Sequence, residues 1–300
     1  MEHIDFHISY QCNNKCIFCS SSNSISEHNS ICLKLEEVCA LLLKKRKLGF
    51  QSINLTGGEP TFYPDFIPLV KFIKKLGYRI YVGTNGGNFV NKDFCSVLAP
   101  LIDEVCFSCH GLSQKDYTKI TNSRYSFLRL KKALGNLSPY PIKLSVNVVV
   151  IKHNFLNLQR ILSFLVKNKI ERVLISNLAP EGQGLINYDK LLVRLEEIRK
   201  KIHGLVSFSN KNNLLIKFFG LPACVLGEYA CYSNDFCWDE RLNIELGKGL
   251  RLKEEKCWLP TRGRIKAVKC TDCLYNDICG GIFEEYFKRF GDGELKVSEK

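Results

Sequence analysis

The chain has 300 residues, 45% of them hydrophobic, with 43 basic against 30 acidic side chains and a formal net charge of +13. That apolar content supports a large core and argues against a disordered chain, while no apolar run reaches the roughly 18 residues of a membrane helix. Fifteen cysteines, an odd number, exclude a fully paired disulfide framework, and the N-terminus MEHIDFHISY lacks the basic and apolar parts of an export signal, so a cytoplasmic, metal-ligating protein is expected.

From residue 4 to about 203, short β-rich runs alternate with longer stretches of helical period, which predicts six βα units around a parallel sheet. The predicted strands are 4–9 (IDFHIS), 52–56 (SINLT), 79–84 (RIYVGT), 104–109 (EVCFSC), 142–151 (IKLSVNVVVI) and 172–177 (RVLISN). Between them Phe66, Leu69, Val70 and Ile73 recur at i, i+3, i+4 and i+7, and Leu191, Leu195, Ile198 and Ile202 form a similar stripe, so both segments read as core-facing helices. Gly77 and Gly204 sit where left-handed C-terminal caps are wanted. Six such units build either an open sheet or a partial barrel, and periodicity does not choose between them. After Gly204 the alternation stops and seven of the cysteines follow, at 224, 231, 237, 257, 270, 273 and 279. This predicts a small region in which metal ligation substitutes for apolar core, and divides the chain into 1–203 and 204–300.

Cys12, Cys16 and Cys19 follow the first strand, in CNNKCIFC, and so belong to a loop at the carboxyl edge of a parallel sheet, where α/β proteins place their chemistry. Thiolates suit zinc, copper(I) and iron–sulfur clusters. A structural zinc closes with four protein ligands, and the next candidates, His28 and Cys32, lie across a Ser-rich stretch without ligand spacing. Three cysteines on a four-iron cluster leave one iron open to a substrate or cofactor. Cys32, Cys39, Cys95 and Cys106 are expected in the core, Cys109 as a packed thiol and His110 as a solvated side chain.

CNNKCIFC resembles the C-x3-C-x-Φ-C signature of the radical SAM superfamily, with Phe18 in the aromatic slot. The resemblance implies a partial (β/α)6 TIM-like barrel and a [4Fe-4S] cluster on Cys12, Cys16 and Cys19, whose open iron binds the amino and carboxylate groups of S-adenosylmethionine. Reductive cleavage then yields a 5′-deoxyadenosyl radical that abstracts hydrogen from a substrate. Cofactor and cluster carry that chemistry, so no side chain is assigned as a catalytic acid or base. Three further segments strengthen the likeness. LTGGEP closes the second strand, and Gly57, Gly58, Glu59 and Pro60 match the segment that receives the methionine amino group. Thr84 and Asn85, in GTNGG, match the family's TNG, and Ser108 matches a position used on the cofactor's carboxylate or ribose. Asn147 is a further candidate of the same kind.

Near the C-terminus, CTDCLYNDICGG sets Cys270, Cys273 and Cys279 at C-x2-C-x5-C spacing and resembles the SPASM and twitch auxiliary-cluster domains of that superfamily. Phe283 stands where a full SPASM pattern would have its next cysteine, so one auxiliary [4Fe-4S] cluster is expected. Cys224 is its expected fourth ligand, with Cys231, Cys237 and Cys257 as spares. A zinc ribbon is the alternative for the same cysteines.

The leading expectation is peptide or protein modification, with a peptide or small-molecule substrate and an electron donor such as ferredoxin or flavodoxin. Because the triad begins at residue 12, peptide recognition is expected from the tail, the basic surface or a separate partner. The alternatives are a cofactor or nucleotide biosynthesis enzyme of the molybdopterin-cyclase type and a non-enzymatic nucleic-acid-binding protein with structural zinc or iron–sulfur centres. The positive charge permits nucleic acid without favouring it, since the lysines are scattered in pairs such as Lys44-Lys45 and Lys200-Lys201. No membrane partner is expected.

Overall fold

The first strand shows how the sequence builds its sheet. In β1 (His3–Ser9), Ile4, Phe6 and Ile8 are fully buried on one face, while His3, Asp5 and His7 alternate with them on the other. The structure, a computed structural model, describes residues 2–237, 241–247, 251–257 and 263–298. The remaining strands are β2 (Ser52–Gly57), β3 (Arg79–Thr84), β4 (Glu104–Ser108), β5 (Lys143–Val149), β6 (Arg172–Ser176), β7 (Leu215–Phe219), β8 (Arg241–Leu246), β9 (Leu252–Cys257), β10 (Arg264–Ile265) and β11 (Ile282–Phe283). Nine of them form one sheet in the order β7-β6-β5-β4-β3-β2-β1-β8-β9. Among its printed pairs, β1 with β2 and with β8, β2 with β3, β3 with β4 and β6 with β7 run parallel, and β8 with β9 runs antiparallel. β10 and β11 form a separate antiparallel pair. The fold is thus α/β with a mostly parallel sheet, and the six predicted strands are β1 to β6: β1 and β2 are each one residue longer, β3 is as predicted, and β4, β5 and β6 are trimmed.

Two compact units divide the chain. One gathers the residues up to Cys16, Ser21–Val146 and the β8–β9 hairpin; the other gathers Ile17–Ser20, the chain from Asn147 to 237 and the described residues from 263 onward. In the first, the helix Phe66–Lys75 buries Phe66, Leu69, Val70 and Ile73, the predicted stripe, and Gly77 after it takes the left-handed φ of +78°. In the second, the helix Leu158–Lys167 buries Leu158, Ile161, Leu162 and Leu165 in the same way.

Several expectations are corrected. Gly204 lies inside a helix, Leu195–Lys211, whose buried face continues through Leu205, Val206 and Ser209. A mid-helix glycine costs about 0.5–1 kcal/mol, which packing on that face outweighs. The chain beyond it is also less irregular than expected: β7 pairs with β6, and β8, where Leu242, Ile244 and Leu246 alternate as buried residues, pairs with β1. The compact units therefore do not part at 203/204. Cys95 is buried, but Cys32 is exposed and Cys39 and Cys106 are only half-buried. His110 is buried, and burial pushes its imidazole down to about 3. Cys109 is packed as expected, its thiol pushed up to about 11 by burial. Among the described residues no helix is long and apolar enough to cross a membrane.

Candidate functional site

At the end of β1 the register with β2 shifts between His7 and Ser9, and the chain turns into the loop that carries the first cysteines. Two backbone bonds fix this turn: Gly58 N–H donates to the Ser9 carbonyl at 2.7 Å and Glu59 N–H to the Gln11 carbonyl at 2.7 Å. The glycines make the approach possible. Gly57 has φ +126°, and a Cβ there would stand 2.3 Å from the Ser9 oxygen; at Gly58 it would stand 2.5 Å from the Gln11 oxygen. Their closest neighbour is therefore the cysteine loop itself.

Glu59 is completely buried and joins two of the predicted segments. Its Oε1 accepts from Thr61 Oγ1 at 2.7 Å, Thr84 Oγ1 at 2.7 Å and Thr61 N–H at 3.3 Å, and its Oε2 accepts from Asn85 N–H at 2.8 Å. Burial pushes this carboxyl above its usual range against the pull of those donors. Pro60 opens a single 3-10 turn, Pro60–Phe62, that Glu59 caps. The end of β3 is thereby locked to the end of β2. Gly87 completes the lock, since a Cβ there would lie 2.0 Å from Thr61 Oγ1 and 2.4 Å from Glu59 Oε1.

From this hub Asn85 reaches the loop. Its Nδ2 donates to Asn13 Oδ1 at 2.9 Å and toward Cys12 Sγ at 3.5 Å, and the same sulfur receives Asn14 N–H at 3.5 Å. Arg129, on the helix Ser126–Leu137, donates to Asn14 Oδ1 at 3.1 Å and Asn85 Oδ1 at 3.5 Å. Lys15 is held by its backbone: its N–H donates to the Thr121 carbonyl at 2.8 Å, and its carbonyl accepts from Asn122 Nδ2 at 3.0 Å. Arg129 escaped the sequence reading because nothing local marks it, as its partners lie 44 and 115 residues away. Ser108 is half-buried at the end of β4, where its carbonyl accepts from the Tyr117 hydroxyl at 3.1 Å. Cys12, Cys16 and Cys19 are all half-buried on this one loop, and none is in a disulfide. Cys19 is grouped with the second unit, where its carbonyl accepts from Gln183 N–H at 2.9 Å. Asn147 also belongs there, and its Oδ1 accepts from Ser176 Oγ at 2.6 Å.

In the second unit the other four predicted ligands come together. Cys224, Cys270, Cys273 and Cys279 line one pocket, with Leu295 and Val297. Cys279 Sγ receives two backbone donors, Ala223 N–H and Gly281 N–H, each at 3.4 Å. Gly281 has φ +81°, and a Cβ would meet the Ile265 oxygen at 2.2 Å, so the second glycine of CGG is dictated by close packing on β10. Burial pushes the Cys224 thiol up to about 11 and also raises Cys270, and in each case neighbouring thiols add to the shift. A cationic iron core removes that resistance to ionisation. Among the described residues no three His, Cys, Asp or Glu side chains stand at single-ion spacing. One zinc would need its sulfurs within about 3.8 Å of each other, from Zn–S distances of 2.3 Å and tetrahedral geometry. Cys231 and Cys237 are exposed and do not line the pocket. The Cys257 side chain lies outside what is described.

Comparison with known proteins agrees with these motifs. The family description "Radical SAM superfamily" matches residues 6–165. A probable GTP 3′,8-cyclase of Saccharolobus islandicus is 27% identical over 213 residues, covering 67% of this chain and 66% of the relative, so the match spans just under two thirds of that protein. An S-adenosylmethionine-dependent nucleotide dehydratase of Flammeovirga pacifica is 27% identical over 221 residues, 71% of this chain and 74% of the relative. Among solved structures, Streptococcus suis SuiB bound to its precursor peptide SuiA superposes with a TM-score of 0.71 at 19% identity, covering 99% of this chain and 75% of SuiB. That likeness speaks for the fold.

Proposed function

The chain belongs to the radical SAM superfamily, whose members use a [4Fe-4S] cluster and S-adenosylmethionine, and from that premise we propose that Cys12, Cys16 and Cys19 hold the cluster. The observation that carries this reading is the three-thiol loop without a fourth ligand, braced by Glu59, Asn85 and Arg129. The residues fit the group: three cysteines outside any disulfide share one loop, and Cys12 Sγ already faces two N–H donors of the kind that stabilise thiolates. Bound together, cluster and S-adenosylmethionine supply reductive cleavage to a 5′-deoxyadenosyl radical that takes hydrogen from the substrate.

The chain's own part is to bind and orient. Backbone groups of Gly57, Gly58, Glu59 and Pro60 receive the methionine amino group, with Thr84 and Asn85 beside them. Glu59 is a positioning residue, since its carboxylate is spent on internal donors. Ser108 and Arg129 serve the cofactor's carboxylate: a half-buried guanidinium next to the loop is the natural partner for that anion. Asn147 is retained as a cofactor contact.

In the tail, we assign one auxiliary [4Fe-4S] cluster to Cys224, Cys270, Cys273 and Cys279. The four cysteines share one pocket, and membership of a superfamily that uses iron–sulfur clusters favours a cluster over a zinc ribbon. Four thiolates satisfy all four irons, so by the vacancy argument used for the triad this centre ligates no substrate.

The substrate is proposed to be a peptide or protein, supported by likeness to a peptide-bound enzyme across almost the whole chain. A nucleotide is the second reading, supported by the names of the cyclase and dehydratase relatives. An electron donor such as ferredoxin or flavodoxin is required by the reductive step. The test is anaerobic iron–sulfur reconstitution followed by assay of 5′-deoxyadenosine from S-adenosylmethionine and dithionite. No cleavage by fully loaded protein would remove the enzymatic assignment. Stimulation of 5′-deoxyadenosine release by GTP, and not by candidate peptides, would select the nucleotide reading.

A further inference from the structure

The chain from Glu294 to Ser298 passes along the tail pocket and is pinned at several points. The Glu294 carboxylate is held by Arg194 Nε at 2.8 Å, by Glu196 N–H at 3.1 Å and by the Tyr286 hydroxyl. Leu295, only 5% exposed, and Val297 line the pocket, and the Ser298 carbonyl accepts from Leu274 N–H at 2.8 Å.

Arg199 sits behind this segment, on the helix Leu195–Lys211. Its Nη2 donates to the Glu294 carbonyl at 2.5 Å. Its Nε and Nη1 are buried and have no hydrogen-bond partner among the described residues. Unsatisfied buried donors are costly, and more so on a permanent cation. The helix that carries Arg199 packs against the turn Ala223–Leu226, which holds Cys224. Lys266 also lines the pocket, but its ammonium is taken up by the Asn276 carbonyl. A four-iron cluster with four thiolates carries net negative charge, and its potential depends on neighbouring charge, N–H donors and exposure to water.

We propose that Arg199 is a positioning residue for the four-cysteine centre, holding the 294–297 segment over the pocket through the Glu294 carbonyl while its guanidinium compensates the charge of the cluster. The inference rests on the auxiliary-cluster reading. A nearby cation favours the reduced, more negative state, so Arg199 raises the reduction potential of the centre.

The experiment uses the full chain with Cys12, Cys16 and Cys19 all changed to Ala, so that iron reports on the tail alone. Arg199→Gln and Arg199→Lys are introduced into that background and reconstituted anaerobically. Iron content, the midpoint potential from EPR-monitored titration and the rate of bleaching in air are then measured. Arg199→Gln is expected to keep its iron, titrate at a lower potential and bleach several-fold faster. Arg199→Lys should recover the potential, because the charge is restored, but not the slow bleaching, because the fork to Glu294 is lost. An unchanged potential in iron-loaded Arg199→Gln overturns the inference. So does loss of iron in both variants, which would make Arg199 a folding residue only. If the parental triple variant binds no iron, the auxiliary-cluster reading falls and takes the inference with it, a result distinguishable from both others.

Discussion

Cys12 and Cys224 are both candidate iron ligands, yet their surroundings differ. Cys12 is half-exposed on a loop held by groups of distant elements, the Asn85, Asn122 and Arg129 side chains and the Thr121 carbonyl. Cys224 is buried in a pocket where three further thiols do the gathering and backbone N–H groups point at sulfur. A centre that must keep one position open cannot rely on its ligands to close it, so the protein supports it from behind. A closed centre supplies much of its own cohesion.

The largest effects test whether the two centres are independent. Cys16→Ala should reduce 5′-deoxyadenosine formation to background while the tail keeps its iron. Cys273→Ala should do the reverse, removing tail iron and sparing cleavage of S-adenosylmethionine. If either change empties both sites, the comparison breaks.

Next comes the scaffold of the tail. Arg264 and Asp235 form a buried ion pair with both side chains 1% exposed, and the guanidinium lies 5.5 Å from the Phe219 ring and 5.2 Å from the Phe283 ring. Asp235→Ala leaves that cation buried and unpaired, at a cost of about 3–5 kcal/mol. Urea unfolding should register the loss, and tail iron should fall with it, since β10 and β11 lead into the CGG turn.

On the loop side, Gly87→Ala drives a methyl group into the Glu59 carboxylate and should cost about 2–3 kcal/mol in thermal or urea unfolding. Arg129→Met should weaken S-adenosylmethionine binding about tenfold, roughly 1.4 kcal/mol, with iron loading intact. A fall in iron instead would make Arg129 a brace of the loop alone.

One more effect is set by pH and appears only in acid. His110 is held neutral by burial, its pKa lowered from 6.5 to about 3, so between those values the unfolded chain binds a proton that the folded chain refuses. Stability is therefore lost as pH falls through that window, by up to about 1.4 kcal/mol per pH unit. His110→Gln should flatten this slope in acid unfolding curves.

The sequence was most legible where local pattern and tertiary role coincide. Short β-rich runs between helical stretches marked β1 to β6, and the i, i+3, i+4, i+7 stripe found the buried face of Phe66–Lys75. The triad, GGEP and TNG were visible as motifs, but the reason for the glycines was not: the groups they admit are the Ser9 and Gln11 carbonyls and the Glu59 carboxylate. Leu242, Ile244 and Leu246 carried the alternation of β8 in plain view, masked by the density of cysteines around them. Gly204 misled because a cap and a tolerated mid-helix glycine look alike until the far end of the helix is known. Arg129 and Arg199 carried no local signal, since their roles come from chain segments brought together only by folding.

The Glu59 carboxylate has a dynamic consequence as well. The amides of Thr61 and Asn85 donate to it, and the amide of Asn88 donates to Thr61 Oγ1 at 2.9 Å, so none of the three can open without disturbing that hub. Their deuterium uptake should proceed in step, as one cooperative opening of two strand ends that are adjacent in space but far apart in the chain.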